Sequence, residues 1–156
     1  MEDKVVINYK NKAGYFRQTE DFIFLDEAEI VPGKSAVGKK LVSSQDWYFK
    51  MHFPDDPVMP GVFQLESVMQ IGGLILNTMD EKKETKLMFG GTKKVKIRKS
   101  VRPGDILCTQ AELTSYKRGV AWFEGRAYIG EEISCEAIFS LIVPSEIALI
   151  MGEKDE

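Results

Sequence analysis

The chain has 156 residues, 44% of them hydrophobic and 29% charged, with a net charge of −3. That length suits one domain with a substantial core, and the balance excludes a disordered polyelectrolyte and a wholesale polyanion binder. No stretch approaches the roughly 20 apolar residues of a membrane-spanning helix, the start Met1-Glu2-Asp3-Lys4 is polar rather than signal-like, and Cys108 and Cys135 fit no metal-ligand spacing, which points to small buried thiols in a reducing cytoplasm.

Residues 1–20 are mixed and polar around Val5-Val6-Ile7 and carry no clear element. Phe22-Ile23-Phe24-Leu25 opens a predicted strand that continues through Ala28 and Ile30. Pro32-Gly33-Lys34-Ser35 is a turn signal, and Ala36 to Val42 reads as the returning strand, so residues 22–42 form a predicted hairpin. Pro54, Pro57 and Pro60 then forbid a continuous helix or central strand before residue 61, and Pro60 suits the first helical position. From Gly61 to about Thr78 the sequence is apolar almost all round, as Phe63, Leu65, Val68, Ile71, Leu74 and Ile75 illustrate. Such a helix is buried, and it would run roughly 27 Å. Gly72-Gly73 inside it cost roughly 1 kcal/mol each against alanine. Their presence predicts close packing on a sheet, with space for a ligand chain beside the helix as the alternative.

Asp80-Glu81-Lys82-Lys83-Glu84 reads as a solvated loop. Four predicted strands follow, Leu87 to Lys99, Ile106 to Tyr116, Ala121 to Ile129 and Ile133 to Val143, separated by turn signals at Arg102-Pro103-Gly104-Asp105, Lys117-Arg118-Gly119 and Gly130-Glu131-Glu132. Residues Gly152 to Glu156 are expected to fray. Strands joined by short turns predict an antiparallel meander, giving an α+β fold with one apolar helix packed on a long sheet. A sheet covers only one side of a helix, so a second subunit is the simplest further cover, and an obligate homodimer is expected.

The only histidine, His52, lies in the run His52-Phe53-Pro54-Asp55-Asp56-Pro57-Val58-Met59-Pro60-Gly61, just ahead of the helix N-terminus. Free backbone N–H groups and the helix dipole favour developing negative charge there. Neutral imidazole is a usable base near pH 7. Glu66 has Val62, Phe63, Met69 and Gln70 as its helical neighbours and therefore no local cation. Apolar surroundings disfavour its charged form, which suits a proton donor. Gly61 permits close approach of a substrate, and its N–H can polarise a carbonyl oxygen. The alternatives for these residues are a satisfied histidine, a solvent-facing glutamate and a plain Pro-Gly turn.

The pattern His52-Phe53-Pro54-x-x-Pro57-Val58-Met59-Pro60-Gly61-Val62, followed by Leu65-Glu66 and Gln70, resembles the signature of the 3-hydroxyacyl-acyl-carrier-protein dehydratases of type II fatty acid synthesis. Weaker resemblance runs from Phe24-Leu25-Asp26 through Val95-Lys96-Ile97-Arg98 to Pro103-Gly104-Asp105. The resemblance implies a hot-dog fold and dehydration of a 3-hydroxyacyl thioester to the trans-2-enoyl thioester. It implies His52 and Glu66 as catalytic residues, contributed to one site by two subunits. It further implies Gly61, Phe53, Pro60 and Val62 as substrate-binding residues, no metal or cofactor, and dimers that often assemble as trimers of dimers. A glutamate at the acid position resembles the broad-range dehydratases rather than the dehydratase–isomerases. Three departures bear on chain-length preference and pathway: Met51 where a glycine is common, Ser67-Val68-Met69 where small residues are usual, and Phe16-Arg17-Gln18-Thr19-Glu20 in place of a Pro-His-Arg-type segment.

The carrier proteins of such a pathway are acidic. Lys94, Lys96 and Arg98 fall on one face of their predicted strand, with Arg102 close behind, which makes a candidate docking strip. A solvated edge face is the alternative. Two other functions compatible with the same fold are an acyl thioesterase and a non-catalytic acyl-binding subunit; a dehydratase of a polyketide or other secondary pathway is a third variant.

Overall fold

The computed structural model describes residues 3–79 and 86–152. The expected Asp80–Glu84 loop and the fraying of residues 153–156 lie outside the described residues. The described elements are β1 (Val5–Ile7), β2 (Glu27–Val31), β3 (Ser35–Leu41), α1 (Gly61–Asn77), β4 (Met88–Ile97), β5 (Ile106–Lys117), β6 (Val120–Ile129), β7 (Glu132–Ile142) and α2 (Pro144–Ile150), with 3-10 turns at Lys12–Tyr15 and Glu20–Phe22. The strands make one antiparallel sheet in the order β1-β2-β3-β5-β6-β7-β4, which curls around α1 as a hot dog. No helix of the described residues is long and apolar enough to cross a membrane.

The meander expected from the turn signals holds for β5, β6 and β7, but β4 departs from it. The Arg102–Asp105 turn does not join neighbours: β4 pairs with the far side of β7, while β5 returns to pair with β3. The chain therefore crosses from one side of the sheet to the other between β3 and β4, and α1 is that crossing. Both faces of β4 are left largely uncovered, with Met88, Phe89, Val95 and Ile97 all exposed.

Why α1 can lie so close to the sheet is written in the register. Ala36, Ala111, Gly125 and Ala137 stand in one row across β3, β5, β6 and β7, and Gly38, Thr109, Ala127 and Cys135 form the adjacent row. These small inward-facing residues form a trough. A Cβ at Gly125 would overlap Val68 of α1, and one at Gly72 would come within 2.8 Å of the Phe139 ring, which itself stacks on Phe123 at 5.2 Å. Gly72 thus fulfils the expected packing role, and Val68, Ile71, Leu74, Ile75 and Leu76 are fully buried. At the β5–β6 hairpin, Arg118 (φ 52°) and Gly119 (φ 79°) take the two left-handed positions of a tight turn whose twist matches its strands.

Four further differences from the sequence-based expectations stand out, the first with a clear physical cause. The apolar run Phe22–Leu25 is not strand: its backbone bonds to helix side chains instead of a ladder. Gln70 Oε1 accepts from the Phe24 N–H (2.9 Å), Gln70 Nε2 donates to the Phe22 carbonyl (2.7 Å), and Ser67 Oγ donates to the Phe24 carbonyl (2.9 Å). The hairpin begins only at Glu27, and Ile23, Phe24 and Leu25 are buried as packing residues. Pro60 is the residue before the helix rather than its first member. Lastly, Val5–Ile7 pairs with β2, and residues 144–150 form a short helix that turn signals do not announce.

Candidate active site

His52 enters from a short loop that is closed on itself. Its backbone N–H donates to the Tyr48 carbonyl at 3.0 Å, and the Val58 N–H donates to the His52 carbonyl at 2.9 Å. Phe53 and Asp56 exchange a second pair of backbone bonds at 3.1 Å, and the Met59 N–H reaches the Val101 carbonyl at 2.8 Å. The His52–Phe53 peptide is cis, and the two rings stack at 4.1 Å. Upstream, Asp46 accepts from the Ser43 N–H and the Tyr48 hydroxyl and pairs with Lys40, which fixes the segment that carries the loop.

The imidazole is oriented by one bond. Its Nδ1 lies 2.9 Å from the Val58 carbonyl oxygen. A carbonyl can only accept, so Nδ1 carries the hydrogen and the lone pair is on Nε2. The half-buried ring therefore leaves Nε2 as the nitrogen able to accept a proton. Sequence places His52 in a stiff loop but does not say which nitrogen is free.

Glu66 stands in the second turn of α1, half-buried. Burial raises its pKa above the usual carboxylate value, and the hydrogen bond from Gln70 Nε2 to its Oε1 (3.2 Å) partly opposes that shift. Among the described residues no cation pairs with Glu66, and the part of Gln70 is larger than spacing alone reveals. One amide holds Glu66 and also stitches Phe22 and Phe24 to the helix.

Gly61 is the first residue of α1, and no side chain caps that end. Its N–H has no hydrogen-bond partner among the described residues. A Cβ on it would meet Ile97 at 3.4 Å, an ordinary contact, so the fold does not require glycine there. Of the remaining motif residues, Pro60 precedes the helix and is partly buried, while Phe53, stacked on His52, and Val62 are exposed. Gln64, which sequence did not single out, anchors the helix by donating to the Lys99 carbonyl at 2.9 Å.

Glu66 lines a groove of about 360 Å³ between α1 and the start of β4, with Met69, Gly73 and Leu87 along its length. Gly73 lines this groove, where a Cβ would stand 3.3 Å from Leu87, while Gly72 packs against Phe139. His52 is not among the groove's lining residues. Two larger depressions, about 450 and 460 Å³, lie on the outer face of the sheet and contain none of His52, Gly61 and Glu66; they are remote from this chemistry. The basic strip is only half available. Lys94 and Lys96 pair in register with Ile138 and Glu136 on the outer face, but Arg98 is held by Glu136 at 2.6 Å and Arg102 by Asp56 at 2.6 Å. Arg102 thereby clamps the His52 loop rather than facing a partner freely. Cys135 is buried and Cys108 partly so, both free thiols.

A family model described as a FabA-like domain matches residues 17–138. The chain is 40% identical over 127 residues to the 3-hydroxyacyl-(acyl-carrier-protein) dehydratase FabZ of Alkaliphilus metalliredigens, covering 80% of this chain and 86% of that one. To the enzyme of the same name from Moorella thermoacetica it is 38% identical over 136 residues, covering 86% and 90% respectively. Among solved structures, a chain of the dehydratase heterocomplex ApeI:P from Xenorhabdus doucetiae superposes with a TM-score of 0.70 at 15% identity, over 90% of this chain and 97% of that one.

Proposed function

The chain belongs to the FabA-like family, and from that premise we propose that it dehydrates 3-hydroxyacyl-acyl-carrier-protein to the trans-2-enoyl thioester, as a hydro-lyase of fatty acid synthesis. The observation that carries the catalytic assignment is the His52 Nδ1–Val58 bond, because it leaves Nε2 as the lone-pair nitrogen, in the loop that leads into α1. The Gly61 N–H polarises the thioester carbonyl and acidifies the C2 protons. His52 Nε2 removes one of them. The electron pair forms the C2–C3 double bond and expels the C3 hydroxyl, to which Glu66 gives its proton, so that water leaves. The proton gained by His52 and the one lost by Glu66 balance, and a net proton transfer between the two groups resets the site. Phe53, Pro60 and Val62 frame the acyl entrance.

His52 and Glu66 belong to one site made by two copies of the chain. This is supported by the groove of Glu66, which lacks His52, and by the exposed apolar residues of β4, Met88, Phe89, Val95 and Ile97, which suit an isologous pairing. Lys94 and Lys96 remain for an acidic carrier, with Arg98 and Arg102 contributing only if their own carboxylate partners yield.

Incubation of the purified protein with a 3-hydroxyacyl thioester on carrier protein is expected to raise enoyl absorbance without release of free thiol. Thiol release without enoyl formation would replace the dehydratase reading by that of a thioesterase.

A further inference from the structure

Val58, whose carbonyl orients the imidazole, sits between two peptide planes, and each plane is held at both ends. In the first, the Val58 N–H donates to the His52 carbonyl (2.9 Å), and the Pro57 carbonyl accepts a longer bond from Arg102 Nη1 (3.4 Å). In the second, the Val58 carbonyl meets His52 Nδ1 (2.9 Å), and the Met59 N–H donates to the Val101 carbonyl (2.8 Å). The same Arg102 Nη1 pairs with Asp56 Oδ1 at 2.6 Å. Apart from the bonds to His52, the hydrogen bonds that tie residues 53–59 to the rest of the chain thus end on Val101 and Arg102 among the described residues. Arg102 is itself set by a turn. Its N–H donates to Asp105 Oδ2 (2.8 Å), and the Asp105 N–H returns to the Arg102 carbonyl (3.1 Å). Val42, just after β3, bonds with Gly104 and Asp105 at 2.7 and 2.9 Å. The guanidinium therefore reaches the returning arm of the loop from a braced support.

We propose that Arg102 is a positioning residue for the base: through Asp56 and the Pro57 carbonyl it holds the Val58 carbonyl against Nδ1 and so keeps the lone pair of His52 on Nε2. The inference rests on the dehydratase reading for its kinetic consequence, but not for its effect on the ring. Which imidazole nitrogen carries the hydrogen is set by the bond that the ring makes. An arm released at Asp56 and Pro57 lets the Val58 carbonyl drift. The ring then divides between its two tautomers, one of which has no lone pair on Nε2. Both side chains of the ion pair are more than half exposed, 51% and 61%, so it contributes little to overall stability and its loss is felt in the loop.

His52 is the only histidine of the chain, so histidine labelled with a nitrogen isotope reads this ring alone. At about pH 8, where an ordinary imidazole is neutral, the natural protein is expected to show a protonated Nδ1 and a bare Nε2 in its ring nitrogen shifts. Arg102→Met, which keeps the stem and removes every donor, is expected to move both shifts toward the average of two tautomers. Its kcat for dehydration is expected to fall roughly tenfold with KM little changed, equally for a carrier-bound and a coenzyme A 3-hydroxyacyl thioester. Its thermal unfolding is expected to stay near that of the natural protein. Asp56→Ala, which leaves Arg102 in place, is expected to act in the same direction and decides the matter should Arg102→Met fail to fold. Ring shifts and kcat unchanged in a folded variant would overturn the proposal. So would an effect confined to KM for the carrier-bound substrate, which would make Arg102 a docking residue. Absence of enoyl formation by the natural protein would instead overturn the dehydratase reading, and the ring shifts of the variants would still decide what Arg102 does to His52.

Discussion

His52→Ala is expected to lower kcat/KM by roughly 10²- to 10⁴-fold while the protein still unfolds cooperatively. The effect is confined to chemistry because the loop does not depend on the imidazole. Four backbone bonds hold it: His52 to Tyr48, Val58 to His52, and the Phe53–Asp56 pair. Only the Nδ1–Val58 bond and the stacking on Phe53 are lost, and one such bond contributes about 1 kcal/mol. Rate and thermal unfolding measured on the same preparation separate the two contributions. A variant that unfolds as expected yet turns over at a near-normal rate would remove His52 from the mechanism.

Glu66→Gln is expected to lose roughly 10²- to 10⁴-fold in kcat/KM and, at the same time, to gain stability at neutral pH. The amide oxygen of the replacement side chain can still accept from Gln70, so geometry is preserved, but the amide has no acidic proton to give to the departing hydroxyl. The stability gain follows from burial, the larger influence on the Glu66 carboxyl, which raises its folded-state pKa above 4.5. A raised acid favours the fold fully below the unfolded value, and that contribution is lost as pH rises through the folded value. The natural protein therefore loses stability relative to Glu66→Gln as pH climbs from about 4.5, and the two converge below it. Thermal unfolding in paired acidic and neutral buffers checks this. A variant less stable than the natural protein at pH 7 would mean that the carboxylate is stabilised as an anion, contrary to its assignment as donor.

Much of this site is legible in the amino-acid sequence. The prolines fix where α1 begins, the apolar run shows that it is buried, and the lone carboxyl in that run marks Glu66. What escapes are features that depend on contacts far apart in sequence. Phe22–Leu25 looks like strand because it is apolar, yet Ser67 and Gln70, more than 40 residues later, take its backbone bonds. The adjacent rows of small residues under α1 come from four strands and become visible only once their register is known. The free nitrogen of His52 depends on a carbonyl six residues away in a folded loop. The alternation of the basic strip gives its strand phase, but the partners of Arg98 and Arg102 belong to distant segments. The position of β4 is hidden because a turn signal says that the chain reverses, not which strand it returns to.

The most direct test of a site built from His52 of one copy and Glu66 of another is complementation. His52→Ala and Glu66→Gln proteins, each inactive alone, are mixed, unfolded and refolded together, and assayed for enoyl formation. Random pairing places one intact His52–Glu66 site in each mixed dimer, so activity is expected to return to about a quarter of that of the natural protein treated in the same way. Refolded mixtures that contain mixed dimers but stay as inactive as their parents would contradict the shared site.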